Sequence, residues 1–151
     1  MHRVSAQNAR GLNGYARGMA DGERLTFGDV KILIRMSTPD ICVLEEVPPM
    51  VDTPPHVHER EDELFVSLEG DHVIELDGEE HRIAPGESVF APRGIPHSQR
   101  RVVPGEGRLL IVTTPGGFAG FFRELAAADA AGTLGPEAYA TASERYGISW
   151  L

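Results

Sequence analysis

The central part of the chain consists of short segments in which apolar and polar residues alternate. In one of them, Val30, Ile32 and Ile34 fall on one face of a strand, and Lys31 and Arg35 fall on the other. Such segments recur about every ten residues with Gly or Pro between them, which predicts an antiparallel all-β sandwich or barrel. The nine predicted strands are 25–27, 30–36, 41–47, 64–69, 73–76, 79–83, 88–91, 97–103 and 108–114.

Two local signals determine how the chain turns between these segments. Asp77-Gly78 separates two of the predicted strands and is typical of a tight β-hairpin. Pro54-Pro55 restricts the backbone to an extended conformation immediately before His56. We therefore expect a hairpin at the first position and a stiff extended segment at the second.

The periodicity changes at both ends of the predicted barrel. Residues 1–24 are rich in Gly, Ala, Asn and Arg and lack a sustained period, which predicts an irregular arm. In residues 115–151 the apolar residues recur at three and four positions, which predicts one or two short amphipathic helices. We expect a single domain with an arm (1–24), a β-barrel (25–114) and a helical tail (115–151).

The predicted tail carries a stripe of aromatic residues. Phe118, Phe121 and Phe122 can share one face of the first helix, and Tyr139 and Tyr146 can share a face of the second. We interpret the stripe as packing within the core or at a dimer contact. The alternative is a lid over a pocket.

Composition limits the classes of function. The chain has 151 residues, a formal charge of −9 and a pI near 5.1. This charge repels nucleic-acid phosphates and anionic lipids, so we expect neither nucleic acid nor membrane as a partner. Because no apolar signal segment and no run of about 18 apolar residues occurs, we expect a cytoplasmic protein. The single cysteine, Cys42, lies in an apolar run and is interpreted as a buried hydrophobic residue rather than a nucleophile.

The candidate chemistry lies in two short stretches. His56 and His58 are two residues apart, so in an extended segment both imidazoles point the same way. Glu63 follows after a charged loop that brings its carboxylate back towards the two rings. Farther downstream, a turn rich in Pro and Gly delivers His97. Imidazoles and a carboxylate that converge from an extended scaffold predict a metal site.

The two stretches resemble the paired motifs of the cupin superfamily, G-x5-H-x-H-x3-4-E-x6-G and G-x5-P-x-G-x2-H-x3-N. The matching residues are His56, His58, Glu63 and Gly70 in the first motif and Gly86, Pro92, Gly94 and His97 in the second. Met50 replaces the first glycine of the first motif, and Arg101 replaces the final asparagine of the second. The resemblance, most of all to small cupins of the quercetin 2,3-dioxygenase type, implies a double-stranded β-helix jelly-roll barrel and a homodimer.

Three imidazoles and one carboxylate would bind one divalent metal ion and leave one or two positions open for water, O2 or a substrate oxygen. This donor set suits iron, nickel, manganese, cobalt, copper or zinc, and the sequence does not choose among them. Glu61 is an alternative to Glu63 as the carboxylate ligand, although the spacing to Gly70 favours Glu63. Residues 59–62 are otherwise interpreted as a solvated loop. The remaining histidines, interpreted as surface residues, are His2, His72 and His81.

A substrate cavity is expected on the side of the strands that bears the ligands. Phe65 and Ser67 follow the carboxylate ligand by two and four residues, and Gln99 and Arg101 follow the last histidine in the same way. We expect these four residues to bind substrate. The Arg101 guanidinium suits a substrate carboxylate or enolate. Alternatively, Arg101 pairs with an acidic residue near the mouth of the cavity.

The expected function is a metal-dependent enzyme that acts on a small enolisable or aromatic hydroxylated compound. Glu63 is the expected catalytic base, because a carboxylate ligand can accept the proton of a bound hydroxyl. The resemblance implies O2-dependent ring cleavage, as in flavonol dioxygenases. The alternatives are a non-redox cyclase, isomerase or lyase, as among polyketide-cyclase cupins, and a cupin that binds a small molecule without catalysis.

Overall fold

The computed structural model describes residues 22–49 and 51–151, which form strands and two helices. In chain order these are β1 (Glu23–Phe27), β2 (Val30–Ser37), β3 (Cys42–Glu46), β4 (Thr53–His58), β5 (Asp62–Glu69), β6 (His72–Leu76), β7 (Glu79–Ile83), β8 (Ser88–Ala91), β9 (His97–Arg101), β10 (Arg108–Thr114), α1 (Ala119–Ala130), α2 (Pro136–Tyr146) and β11 (Ile148–Trp150).

The strands divide into two sheets. The six-stranded sheet has the order β1-β2-β3-β10-β5-β8, and the five-stranded sheet has the order β11-β4-β9-β6-β7. All the paired strands run antiparallel, and strands far apart in sequence become neighbours, as where β10 lies between β3 and β5. This arrangement is a jelly roll. The predicted all-β double-stranded β-helix is therefore confirmed.

Each of the nine predicted segments overlaps an observed strand, and two further strands are present among the described residues. The first, β4, is the segment that the two prolines predicted to be extended. The second, β11, lies near the end of the tail, for which only one or two short helices were predicted. The Asp77-Gly78 turn joins β6 to β7 with positive φ angles of 47° and 84°, as a tight hairpin turn requires.

The inner faces of the two sheets form an apolar core. In β5 the alternation is strict, since Glu63, Phe65 and Ser67 are buried while Leu64 and Val66 are only partly covered. Burial of a large apolar side chain contributes about 1.5–3 kcal/mol to stability. The largest fully buried apolar side chains are Phe65, Ile32, Leu44, Ile74, Leu109 and Leu125.

The tail folds back on the barrel. The ring of Phe122 in α1 lies 6.1 Å from the ring of Phe27 in β1. Helix α2 ends at Tyr146, and the left-handed backbone of the following Gly147 (φ 68°) lets the chain reverse into β11. Strand β11 then pairs with β4, with Trp150 opposite His56. The tail thus reaches the strand that bears two of the candidate ligands.

Most of the predicted arm, residues 1–21, lies outside the described residues, and β1 starts two residues before the predicted barrel. Within the described ranges, neither helix is long and apolar enough to cross a membrane. The single domain, the homodimer and the cytoplasmic location stay predictions.

Cys42 is expected to be unreactive in the folded protein. Its side chain is fully buried, and burial raises the pKa of the thiol to about 11. Because the thiolate is the reactive form, Ellman's reagent at mildly alkaline pH should label the folded protein at least about 100-fold more slowly than the urea-unfolded protein. Rapid stoichiometric labelling of the folded protein would contradict this interpretation.

Candidate metal centre

Four side chains that the sequence analysis singled out meet inside the barrel. His56 and His58 project inward from β4, Glu63 projects from β5, and His97 is the first residue of β9. Their potential ligand atoms all lie within 4.8 Å of one another, and all four residues are buried. His56 and His97 are directly opposite each other in the β4–β9 pair. We call these four residues the histidine–glutamate cluster.

Hydrogen bonds fix the orientation of two of the imidazoles. The Nδ1–H group of His56 donates to the Pro54 carbonyl at 2.8 Å, and that of His97 donates to the Ile95 carbonyl at 3.0 Å. A carbonyl oxygen only accepts, so Nδ1 carries the hydrogen in both rings. In the neutral rings, Nε2 is therefore unprotonated and carries a free lone pair, as is usual for metal-binding histidines.

The third imidazole, that of His58, has a carboxylate beside its Nδ1 atom instead of a carbonyl group. The Oε2 atom of Glu61 lies 3.6 Å from His58 Nδ1, and both atoms are buried without a hydrogen-bond partner. A carboxylate behind a metal-binding imidazole orients the ring and raises its basicity. Glu61 was expected either in a solvated loop or as an alternative ligand. It is instead buried behind His58, and Glu63 is the carboxylate within the cluster.

The protonation of the cluster follows from burial and mutual charge. Burial, aided by His97, lowers the pKa of His56 to about 4. Burial also acts to lower the pKa of His58, but the carboxylates of Glu63 and Glu61 outweigh it and raise that pKa. For Glu63 burial acts to raise the pKa, and the neighbouring histidines outweigh it and lower the pKa. A neutral His56 and an ionised Glu63 are the forms that bind a metal.

One contact within the cluster favours a bound cation. His97 Nε2 lies 2.8 Å from Glu63 Oε2, and in the neutral ring that nitrogen carries a lone pair and no hydrogen. Two lone pairs at this distance repel each other unless a proton or a metal ion lies with them. Glu63 Oε2 is also 3.5 Å from His58 Nε2. The donor set and its geometry therefore fit a divalent metal ion.

A cavity of about 410 Å³ opens beside the cluster. Its walls are mainly aromatic and aliphatic, as is typical of sites for small organic ligands. Much of the wall comes from the tail, including Phe118, whose ring lies 4.7 Å from the His58 ring, and Trp150, whose ring lies 5.1 Å from the His56 ring. The aromatic stripe thus packs in the core and also closes the cavity.

The predicted substrate-binding residues divide into two groups. Phe65 and Gln99 line the cavity. Ser67 does not, because its hydroxyl donates to the Gly70 carbonyl at 2.6 Å. Arg101 does not line it either, and its guanidinium forms an ion pair with Asp52 at 2.9 Å. For Arg101 the alternative interpretation is therefore the better one.

The histidines outside the cluster differ in how far they are buried. His72 was expected at the surface, but its side chain is only 1% exposed and its Nδ1 atom lies 3.2 Å from the Ser67 hydroxyl. The register of β6 against β9 causes this burial, because it sets His72 directly opposite Arg101. His81 is partly exposed, and His2 lies outside the described residues.

One acidic residue of the cavity wall, Glu46, was not predicted from the sequence. Glu46 is 8% exposed and lines the cavity at the end of β3. The signal was present, since Cys42, Leu44 and Glu46 occupy alternate positions and both apolar members are buried. A carboxyl group in phase with two buried apolar residues must itself face inward.

Comparison with known proteins agrees with this architecture. A family model for the cupin domain matches residues 43–113. The chain is 32% identical over 116 residues to quercetin 2,3-dioxygenase of Bacillus subtilis, an alignment that covers 74% of this chain and 34% of that protein. The chain thus spans about a third of the length of this curated relative.

Solved structures resemble the fold at low sequence identity. KdgF from Halomonas superposes with a TM-score of 0.56 and 22% identity, covering 64% of this chain and 88% of that one. The Streptomyces nucleoside dehydratase Pac13 superposes with a TM-score of 0.51 and 12% identity, covering 64% and 78%. These two likenesses concern the fold alone. Residues 43–113 contain the whole histidine–glutamate cluster, and the chain is a member of the cupin superfamily that resembles the quercetinase-like cupins.

Proposed function

We propose that this protein is a metal-dependent enzyme that cleaves a small hydroxylated aromatic compound with O2, as a flavonol dioxygenase does. The observation that carries the proposal is the buried cluster of three imidazoles and one ionised carboxylate beside an apolar cavity of about 410 Å³. The likeness to the Bacillus subtilis quercetin 2,3-dioxygenase supports the same reaction class.

His56, His58, Glu63 and His97 would hold the metal ion. A divalent metal supplies a Lewis acid that favours deprotonation of a bound hydroxyl and, where it is redox-active, a partner for O2. The mixed nitrogen and oxygen donor set is compatible with iron, nickel, manganese, cobalt, copper or zinc. Only a redox-active member of this group fits the proposed oxygenation.

Glu63 is the proposed base. Its pKa is lowered, chiefly because the neighbouring histidines outweigh the effect of burial, so it is ionised near neutral pH. A substrate hydroxyl beside the cluster could pass its proton to a Glu63 carboxylate oxygen, and the substrate would become an electron-rich enolate or phenolate. His97 Nε2, 2.8 Å from Glu63 Oε2, would hold the same metal ion as that carboxylate.

The walls of the cavity would orient the substrate and keep water out. Phe65, Phe118 and Phe121 present apolar surface to a flat aromatic ring. All three are at most 5% exposed, so their positions are set by packing in the core. Exclusion of water strengthens electrostatic interactions in the site and protects a reactive anion from reprotonation.

The test is oxygen uptake with quercetin by protein loaded separately with each of the six metals. We expect uptake with at least one redox-active metal, and a loss of at least about 100-fold in turnover in the Glu63→Gln variant. Glu59→Gln is the matched control, because Glu59 is an exposed acid in the loop before Glu63. It should retain wild-type turnover.

Two results would contradict the proposal. One is unchanged turnover in Glu63→Gln, which would remove the carboxylate from the mechanism. The other is conversion of an enolisable substrate under nitrogen with no oxygen uptake in air. That second result would favour the non-redox cyclase, isomerase or lyase reaction.

A further inference from the structure

Apart from the histidines of the cluster, the charged side chains that line the cavity are all acidic. They are Glu46, Asp52 and Glu63, and no lysine or arginine is among the described lining residues. Asp52 is paired with Arg101 at 2.9 Å, and Glu63 belongs to the histidine–glutamate cluster. Glu46 is the acidic lining residue with neither of these roles.

Strand alternation turns Glu46 towards the cavity and its neighbour away from it. Glu45 faces the outer side of the sheet, where its carboxylate contacts the guanidinium groups of Arg35 at 2.7 Å and Arg108 at 2.6 Å. Glu46 follows in phase with the buried Leu44 and meets an apolar wall. Of these two adjacent acids, one is therefore structural and the other faces the space where a ligand would lie.

Glu46 has polar neighbours that also line the cavity. The side chain of Gln99 makes a hydrogen bond to Glu46, and its Nε2 atom donates to Thr53 Oγ1 at 3.1 Å. In the β4–β9 pair, Thr53 lies opposite Gln99, and His56 lies opposite His97. Along β9, Gln99 is thus two residues from His97 of the metal cluster, or about 7 Å.

The electrostatic surroundings raise the pKa of Glu46 so far that its neutral and ionised forms coexist near neutral pH. Burial raises the pKa of Glu46 to about 7, and the charges of Glu63 and Asp52 act in the same direction. The hydrogen bond from Gln99 and the charge of Arg101 act in the opposite direction. A neutral carboxyl group both donates and accepts hydrogen bonds, whereas the ionised group only accepts.

We propose that Glu46 and Gln99 form a ligand-binding subsite, about one aromatic ring from the metal cluster, which recognises an uncharged hydroxyl or carbonyl oxygen. The subsite rests on the proposed function only in that the same ligand would reach the metal. It selects neutral oxygenated aromatic compounds over aromatic carboxylates, because an anion would approach three acidic side chains, and no lysine or arginine is among the described lining residues.

The test measures binding without catalysis. Flavone and flavone-6-carboxylate share one ring system and differ by a negative charge, and flavone itself has no ionisable group. Equilibrium dialysis of each compound against metal-free protein at pH 6 and pH 8.5 gives the dissociation constants. The variants are Glu46→Gln, which keeps the size and the ability to donate, and Glu46→Ala, which removes both. Glu79→Gln, a change at an exposed acid on β7, is the control.

For the wild type we expect flavone to bind at least about tenfold more tightly at pH 6 than at pH 8.5, because Glu46 loses its proton as the pH rises through about 7. Glu46→Gln should bind flavone equally well at both pH values. Because this variant keeps the histidine cluster, it separates the titration of Glu46 from that of the histidines. Glu46→Ala should bind about tenfold more weakly than the wild type at pH 6. Flavone-6-carboxylate should bind at least about tenfold more weakly than flavone.

Equal affinity for flavone in the wild type, Glu46→Gln and Glu46→Ala would overturn the subsite, as would a failure of the wild type to bind flavone at pH 6. The proposed function fails separately. Flavone binding that follows the expected pattern, without oxygen uptake from quercetin under any metal, leaves the subsite in place and removes the dioxygenase. Oxygen uptake from quercetin that is the same in the wild type and in both Glu46 variants leaves the dioxygenase in place and removes the subsite.

Discussion

Replacement of His56 and His58 by alanine is expected to abolish stoichiometric metal binding. Both imidazoles are buried, their rings lie 5.1 Å apart, and they supply two of the four donors of the cluster. Loss of two donors should weaken metal affinity by more than about 100-fold, since loss of an outer-shell partner alone costs 10–100-fold. Elemental analysis of protein purified without chelator should give close to one metal ion per wild-type chain and almost none in the variant.

Thermal unfolding provides a second measurement on the same proteins. Because a metal that binds only the folded chain stabilises it, added metal should raise the melting temperature of the wild type and not that of the double variant. His81→Ala, which removes a partly exposed imidazole from β7, is the control and should keep the metal. A stoichiometric ion that persists in the double variant would place the metal site elsewhere.

Replacement of Phe65 by alanine is expected to produce a large loss of stability. Phe65 is 1% exposed, its ring lies 5.7 Å from the His97 ring, and it is opposite Ile111 on one side and Val89 on the other. Truncation of a buried phenylalanine typically costs 3–5 kcal/mol. One face of this ring borders the cavity, so we expect a value near the lower end, about 3 kcal/mol. Urea unfolding of the metal-free protein measures it.

Phe90 allows a matched comparison on the neighbouring strand. It lies on β8 opposite Leu64, loses the same atoms on replacement by alanine, and is 56% exposed. Phe90→Ala should therefore change the free energy of unfolding by less than about 1 kcal/mol. Similar losses in the two variants would mean that the inward and outward faces of β5 and β8 are assigned wrongly.

The comparison between Glu61 and Glu63 illustrates where local pattern was sufficient. Strand phase alone sets Glu63 and Phe65 on one face of β5, and the structure buries both. The same reasoning left Glu61 open, because it lies before the strand, where no period applies. Its position behind His58 depends on how the loop closes against β4.

The placement of Arg101 illustrates where local pattern was insufficient. Its phase on β9 is the same as that of His97 and Gln99, which suggested a substrate contact. The structure pairs Arg101 with Asp52, a residue 49 positions earlier in the chain. The burial of His72 has a similar origin, because it depends on the register of β6 against β9.

Local patterns in the sequence predicted the strand periodicity, the Asp77-Gly78 hairpin, one or two tail helices and the spacing that matches the cupin motifs. These features depend on backbone geometry over a few residues, which local side-chain pattern encodes directly. The three-dimensional arrangement was needed to show that β11 pairs with β4, that Phe118 and Trp150 close the cavity, and that Glu46 faces it. Those outcomes depend on sheet order and register, which arise from many weak contacts between distant segments and leave no period in any one of them.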